Sequence, residues 1–245
     1  MKNITKNITS LLALVLTMSF TINAQQIGDI YEGGYLFYID DENQTGLVAA
    51  LTDIDELYEY GVPTVLWGCD NQEVEGADNM EIGSGYQNTL DIVADDCEFD
   101  NPEIDQVTAA QAALDYESDG YSDWYLPSLE ELILVYDVIG DIVYSGSSHD
   151  YRFTSTEAVE THPACSDGHN NLIANDLGGR FWAVRFQDGY VYPTPKGGTN
   201  AGWTNNKIRP IRTVYFVIEG CTDSGANNYN VEATVEDESC TYAPE

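Results

Sequence analysis

Residues 127–136 read Pro-Ser-Leu-Glu-Glu-Leu-Ile-Leu-Val-Tyr, and this stretch determines where one helix of the fold begins. Ser128 is of a type that caps helix N-termini, and Glu131 stands three positions later, as in a capping box. This spacing favours a structural role for the pair over a site. Apolar residues recur behind it at helical intervals, at Leu129, Leu132, Ile133, Val135 and Tyr136. We therefore predict a helix that begins at Leu129 and packs on a sheet.

Short runs of β-type residues lie on both sides of this helix. Residues 33–39 and 46–51 flank a turn-rich segment and predict a hairpin. Asp188-Gly189 separates residues 181–186 from residues 190–192, which is a strong signal for a second hairpin. Further strands are predicted for residues 64–69, 152–155 and 208–217.

Two more helices are predicted upstream, over residues 87–94 and over the alanine-rich residues 108–116. Two or three helices among many short strands indicate an α+β fold with short antiparallel strands and a loop-rich half. The change to small polar residues after Phe216 predicts a main domain over residues 25–216 and a small module over residues 217–245.

The first 24 residues resemble a secretory signal peptide. Lys2 and Lys6 precede an apolar run at residues 11–20, and residues 21–24 form a small-residue end. The run is too short to span a bilayer core of about 30 Å, and no later segment approaches ~20 apolar residues. We therefore expect a protein without a transmembrane segment, secreted or held at the outer cell surface.

The chain is strongly acidic, with 9 basic and 42 acidic residues. Removal of Lys2 and Lys6 with the signal peptide leaves 7 basic residues and a net charge of −35. Nucleic acids and anionic membranes bind through basic side chains, so neither is an expected partner. The acidity is explained by solubility or by calcium binding, since calcium prefers oxygen ligands.

Five cysteines in an exported chain predict two disulfides and one remaining thiol. Pairing Cys69 with Cys97 and Cys221 with Cys240 closes two local segments, and the second pair brackets the C-terminal module. Cys165 is then left outside both disulfides.

A series of motifs resembles one bacterial family. Residues 120–128 (Gly-Tyr-Ser-Asp-Trp-Tyr-Leu-Pro-Ser), the following Glu-Glu-Leu, residues 154–157, Trp182 and residues 208–212 are similar to the Lcl C-terminal domain family, over residues 27–214. The resemblance implies a C-type-lectin-like fold outside the cell, and the founding adhesin binds sulfated polysaccharide. This chain departs from the family in having Phe153 where a Trp is usual, an insertion at residues 158–180, and an acidic rather than basic character.

The inserted region contains a candidate metal site. His162, Cys165 and His169 are residue types that ligate zinc or copper, and an open fourth position would allow catalysis. Their spacing matches no strong metal motif, so a solvated loop is the simpler interpretation. Without a recognisable triad or phosphate loop, we do not expect an enzyme, and the alternative is a metal-dependent enzyme that uses these three residues.

Two arginines near the end of the main domain are further candidates. Arg209 and Arg212 would lie on one face of a regular strand and could meet an anionic ligand. Ion pairs with buried carboxylates are the preferred interpretation.

The C-terminal module offers closely spaced oxygen ligands for calcium at Asp223, Asn227, Asn228, Asn230 and Asp237. The same residue types also stabilise turns through their own backbone.

For the main domain, we expect noncatalytic recognition of a glycan or a surface protein by the loops around Trp182 and Trp203. The predicted ligand-binding residues are Trp203, Asn205 and Asn206, on a loop of the kind that carries contacts on a rigid scaffold. A core position for Trp203 and a purely structural surface module remain the alternatives.

Overall fold

The computed structural model of this chain describes residues 25–40, 42–54, 58–59, 62–63, 65–69, 72–97, 106–147, 150–165, 169, 172–173, 178–196, 207–231 and 233–243. Among these residues the chain is a mixed α and β protein with antiparallel sheets and three α-helices. This confirms the α+β prediction. The predicted signal peptide at residues 1–24 lies outside the described residues.

The first sheet has four antiparallel strands in the order β1-β2-β3-β11. They are β1 (Ile30–Tyr31), β2 (Gly34–Asp40), β3 (Thr45–Ala50) and β11 (Ile211–Tyr215). β2 and β3 form the hairpin predicted from the sequence, with a register shift between Leu36 and Tyr38. β11 is shorter than predicted because Pro210, which has no backbone N–H, precedes it.

The second sheet has three antiparallel strands in the order β10-β9-β8. They are β8 (Tyr151–Glu157), β9 (Arg180–Arg185) and β10 (Val191–Pro195). The predicted Asp188-Gly189 hairpin joins the last two, and Gly189 has the positive φ of 72° that such turns favour. The prolines at positions 193 and 195 fit because β10 is an edge strand.

Three helices pack on these sheets. They are α1 (Gly85–Ala94), α2 (Ala109–Leu114) and α3 (Leu129–Val143). α3 begins where the sequence predicts, because the Ser128 side chain accepts a hydrogen bond from Glu131 N and the Glu131 side chain accepts one from Ser128 N. Its apolar face contacts both sheets.

The remaining strands are two-residue pairs. β4 (Tyr58–Glu59) pairs with β5 (Val62–Pro63) in antiparallel fashion, whereas β6 (Val65–Leu66) and β7 (Val107–Thr108) are parallel. In the C-terminal module, β12 (Glu219–Gly220) pairs in parallel with β13 (Val235–Glu236). Among the described residues of the strand predicted over residues 64–69, only Val65–Leu66 are paired, and Trp67 is buried in the core.

The main core lies under α3 and includes residues of both sheets, such as Phe37, Leu47, Trp182 and Val184. A second core lies on the opposite face of the three-stranded sheet, where Phe181 stacks between Trp67 and Phe153. Alternation along β9 explains the division, because Phe181 and Trp182 point to opposite faces.

Both predicted disulfides are present, Cys69–Cys97 and Cys221–Cys240, and Cys165 is a buried residue that belongs to neither. Within the residues described, no helix combines the length and the apolar character that a membrane span requires.

Candidate functional site

One face of the four-stranded sheet forms the floor of an open cleft of about 500 Å³. The strand register places the floor residues in two rows across β2, β3 and β11. The first row is Tyr38, Leu47 and Thr213, and the second is Asp40, Thr45 and Tyr215. Successive rows are two residues apart, so they project from the same face. The row before them, with Ala49 and Ile211, lies in the core under α3, and the floor continues from it toward solvent.

The walls of the cleft come from residues outside the sheet. They are Ile82, Gly83 and Tyr86 at the start of α1, and Asp123 and Tyr125 before α3. We call this site the tyrosine-lined cleft, after Tyr38, Tyr86, Tyr125 and Tyr215. The Tyr86 and Tyr215 side chains are 51% and 69% exposed, so two aromatic rings face solvent at a concave surface.

A buried carboxylate holds the wall that carries Tyr86. Glu131 accepts hydrogen bonds from Gly83 N (2.8 Å) and from Ser128 N (2.7 Å), which ties the wall to the first turn of α3. Burial raises the pKa of Glu131, and the hydrogen bonds from Ser128 and Gly83 oppose that rise. A Cβ atom at Gly85 would collide with the Glu131 carboxylate and lie 2.8 Å from Ser128 N. Glycine at position 85 therefore permits the close approach of wall and helix.

Tyr125 connects the wall to the floor. Its buried ring meets Tyr86 edge to face at a centroid distance of 5.5 Å, and its hydroxyl lies 3.2 Å from Thr213 Oγ1. Burial, with a smaller contribution from the Glu131 carboxylate, raises the pKa of Tyr125 far above its ordinary value.

The two carboxylates of the cleft are oriented by fixed donors. Asp40 accepts hydrogen bonds from the side chain of Asn43 at 2.7 Å and from the backbone N–H groups of Asn43 and Glu42. These bonds, led by the Asn43 side chain, hold the pKa of Asp40 below its usual range. Asp123 pairs with the Arg212 guanidinium through both oxygens, at 2.6 and 3.0 Å.

The lining of the cleft is aromatic, hydroxyl-bearing and acidic. Among the described residues that line it there is no histidine, cysteine, lysine or arginine. Flat rings beside hydroxyl groups and oriented carboxylates can hold a ligand.

The predicted ligand-binding residues Trp203, Asn205 and Asn206 lie outside the described residues. Two tryptophans of the family-like motifs lie within the described residues. Trp124 and Trp182 are both 0% exposed, as expected for structural residues, so Trp182 itself offers no ring to a ligand.

The predicted His162, Cys165 and His169 cluster does not assemble into a ligand set. His162 Nε2 lies 2.9 Å from Glu130 Oε1, whereas His169 Nδ1 lies 2.8 Å from the Tyr190 hydroxyl. Within the described residues, two groups of three bring ligand atoms within 4.8 Å of one another, and neither contains these residues. Both groups include the cysteines of a disulfide, Cys69 with Cys97 and Cys221 with Cys240, whose sulfurs are already bonded.

The proposed calcium ligands of the C-terminal module already serve its turns. Asp223 Oδ1 accepts from Gly225 N, and Asp237 Oδ1 accepts from Ser239 N. Asn228 Oδ1 accepts from both the N–H and the hydroxyl of Thr241, and Asn227 N donates to Thr241 O. Asn230 N donates to Cys221 O. These contacts fit the turn-stabilising role, and calcium stays a prediction.

Arg209 makes the predicted ion pair with a buried carboxylate, whereas Arg212 pairs with the more exposed Asp123 and Glu32, and the expected placement of both arginines on one face was wrong. Residues three apart in a strand point to opposite faces, and Arg209 precedes β11. Arg209 Nε lies 2.7 Å from Asp53 and is buried, whereas Arg212 binds Asp123 and Glu32 and stacks on Tyr121 at 3.9 Å. Both guanidinium groups are therefore paired with carboxylates of the same chain.

The tyrosine-lined cleft was not predicted from the sequence. A usable signal was present in β11, where Thr213 and Tyr215 alternate with the buried Arg212 and Val214. The contribution of Tyr86 carried no such signal, because its position depends on Glu131, 45 residues away in the chain.

No protein-family model matches this sequence, and no curated protein matches it.

Proposed function

We propose that this chain is an exported, noncatalytic recognition domain that binds its ligand in the tyrosine-lined cleft. The observation that carries the proposal is the exposure of Tyr86 and Tyr215 at a concave site whose walls and floor are held by buried groups. Exposed aromatic rings on a rigid scaffold are typical of binding sites, since they bury much area with little loss of side-chain entropy.

Export is supported by independent features. The signal-like residues 1–24 and the two disulfides fit an oxidising compartment. The strong negative charge suits a protein that stays dissolved without binding nucleic acid.

The metal-dependent enzyme has less support than the recognition domain. His162 Nε2 contacts Glu130 and His169 Nδ1 contacts the Tyr190 hydroxyl, so the two imidazoles of the proposed ligand set have separate partners. The purely structural alternative leaves the exposed Tyr86 and Tyr215 without a role.

The test begins with a screen of the mature chain against immobilised glycans and extracellular proteins. Tyr86→Ala and Tyr215→Ala are then compared with Trp203→Ala on the captured ligand, and Tyr229→Ala serves as a matched control. Tyr229 is 44% exposed in the C-terminal module, away from the lining of the cleft. We expect the two cleft variants to lose binding, Tyr229→Ala to keep it, and all variants to remain folded.

If only Trp203→Ala lost binding, the ligand-binding site would be assigned to the loop predicted from the sequence. Zinc or copper bound stoichiometrically in the purified protein, with activity lost in His162→Ala, would instead support the enzyme.

A further inference from the structure

We propose that the tyrosine-lined cleft selects an uncharged glycan, an inference that rests on the recognition function proposed above. The observation is the pairing of exposed tyrosine rings with oriented oxygen acceptors in a cleft whose described lining has no basic side chain.

The rings supply the apolar part of the recognition. Tyr86 and Tyr215 are more than half exposed, and the edge-to-face contact with the buried Tyr125 ring supports Tyr86. The flat face of a tyrosine matches the apolar C–H face of a sugar ring, which is the only large apolar surface that an uncharged saccharide presents.

The carboxylates and hydroxyl groups supply the polar part. A carboxylate has about four acceptor sites, so Asp123 can accept further hydrogen bonds beside the two from Arg212. Asp40 is held ionised and oriented by its three bonds from the β2–β3 turn. Sugar hydroxyls are donors that ionised carboxylates accept, and Tyr38 and Thr45 lie beside Asp40 on the floor.

Charge argues against sulfated or uronic acid glycans. Arg212, the cation that contacts the lining residue Asp123, lies by alternation on the other face of β11 from Thr213 and already binds Asp123 and Glu32. An anionic ligand would meet the Asp40 and Asp123 carboxylates and no basic side chain in the described lining, within a protein of net charge −33. The cleft therefore differs from the sulfated-polysaccharide site that the family resemblance implies.

The size of the cleft suits a small ligand such as an oligosaccharide. Its volume of about 500 Å³ lies within the range of small-ligand sites, about 300–1,000 Å³.

The experiment measures affinities of the mature chain for neutral hexose and pentose oligosaccharides and for sulfated and uronic acid oligosaccharides of matched length. Titration calorimetry or saturation-transfer NMR on the wild-type chain is repeated for Tyr86→Ala, Tyr215→Ala and Asp40→Asn, with Tyr229→Ala as control. We expect at least one neutral oligosaccharide to bind. Its affinity should fall by about tenfold or more in each cleft variant and stay unchanged in Tyr229→Ala. Raising the salt concentration from about 0.05 to about 0.5 M should change the affinity of the wild-type chain for this oligosaccharide by no more than about twofold, since no ion pair forms with the ligand.

Several outcomes would overturn this inference. They are binding of anionic oligosaccharides only, a salt-sensitive affinity, or neutral binding that Tyr86→Ala and Tyr215→Ala leave intact. Failure of the whole neutral panel would also overturn it. Capture of a protein or an anionic ligand that is lost in the two tyrosine variants would refute the uncharged glycan while leaving the recognition function in place.

Discussion

The two regions predicted from the sequence, the main domain over residues 25–216 and the C-terminal module over residues 217–245, are stabilised in different ways. The main domain buries three tryptophans, Trp67, Trp124 and Trp182, completely, and it also buries charged groups that pair with one another. In the described residues of the module beyond Val217, only Gly220 and Cys221 are buried, and Val231 is 78% exposed. The module replaces a core with the Cys221–Cys240 disulfide and a set of side chain to backbone hydrogen bonds. A long chain can overcome its conformational entropy by burial, whereas a short one requires a covalent link.

The largest effect is expected from the fully buried Lys196–Glu157 ion pair of the main domain. Lys196 Nζ contacts Glu157 Oε1 and Gln72 O and lies 4.5 Å from the centroid of the Trp67 ring. Burial raises the pKa of Glu157 and lowers that of Lys196, so each charge depends on the other. Lys196→Met should lower the free energy of unfolding by about 3–5 kcal/mol, measured by urea denaturation.

The double variant Lys196→Met with Glu157→Leu should lose less than the sum of the two single variants, because neither charge is left alone. Arg185→Met, which breaks the more exposed pair with Asp188, provides the control and should cost at most about 1 kcal/mol. Additive single effects at Lys196 and Glu157 would show that the pair is not coupled.

The second-largest effect is expected from removing the disulfide of the C-terminal module. Replacing Cys221 and Cys240 by Ser removes a constraint of about 3 kcal/mol on a segment with almost no core. We expect amide hydrogen exchange in residues 217–243 to lose its protection, while the melting temperature of the main domain stays the same.

The matched variant in the main domain replaces Cys69 and Cys97 by Ser. It should lower the melting temperature of the main domain and leave the module protected. A module that keeps its protection without Cys221 and Cys240 would mean that its hydrogen bonds alone are sufficient.

Acidic groups of the two regions should respond to pH in opposite directions. The pKa of Glu131 is raised in the folded state. Glu131 therefore contributes fully to stability below about pH 4.3, the ordinary pKa of a glutamate, and this contribution is lost as the pH rises through the raised pKa. The pKa of Asp237 in the module is lowered by the Ser239 side chain, so its contribution is lost as the pH falls.

Glu131→Gln should cost about 1–3 kcal/mol, since one of the N–H groups of Ser128 and Gly83 then faces an amide donor. The difference from wild type should be larger near pH 4 than at neutral pH, as measured by chemical denaturation across that range. A difference that grows toward neutral pH would contradict the sign of the shift.

Calcium should give the smallest effect. Extracellular calcium modules bind with dissociation constants of about 10⁻⁴–10⁻³ M, so a tenfold excess would add about 1.4 kcal/mol. Millimolar calcium should then raise the melting temperature, magnesium should do less, and Asp223→Asn with Asp237→Asn should abolish the rise. Superimposable melting curves in calcium and in chelator would leave Asp223 and Asp237 as turn residues only.

Much of the fold was predictable from local sequence. The capping box at Ser128, the hairpin at Asp188-Gly189 and both disulfide pairings depend on residues close in the chain, or on cysteines that close single segments. The strand over residues 64–69 was predicted too long because its partner strand β7 ends at Thr108, which caps the N-terminus of α2. Local propensity could not anticipate that tertiary packing.

The amino-acid sequence by itself determined the acidic character, the cysteine pairing, the start of α3 and the α+β class, since each follows from composition or from short-range spacing. Only the tertiary structure decided the candidate site. Tyr86 comes from the start of α1, Tyr125 from the segment before α3, and Tyr215 from the last strand of the four-stranded sheet. They meet because Glu131 anchors the wall and β11 pairs with β3, more than 150 residues earlier in the chain. Contacts of that separation depend on the packing of the whole domain, which no periodicity within one segment records.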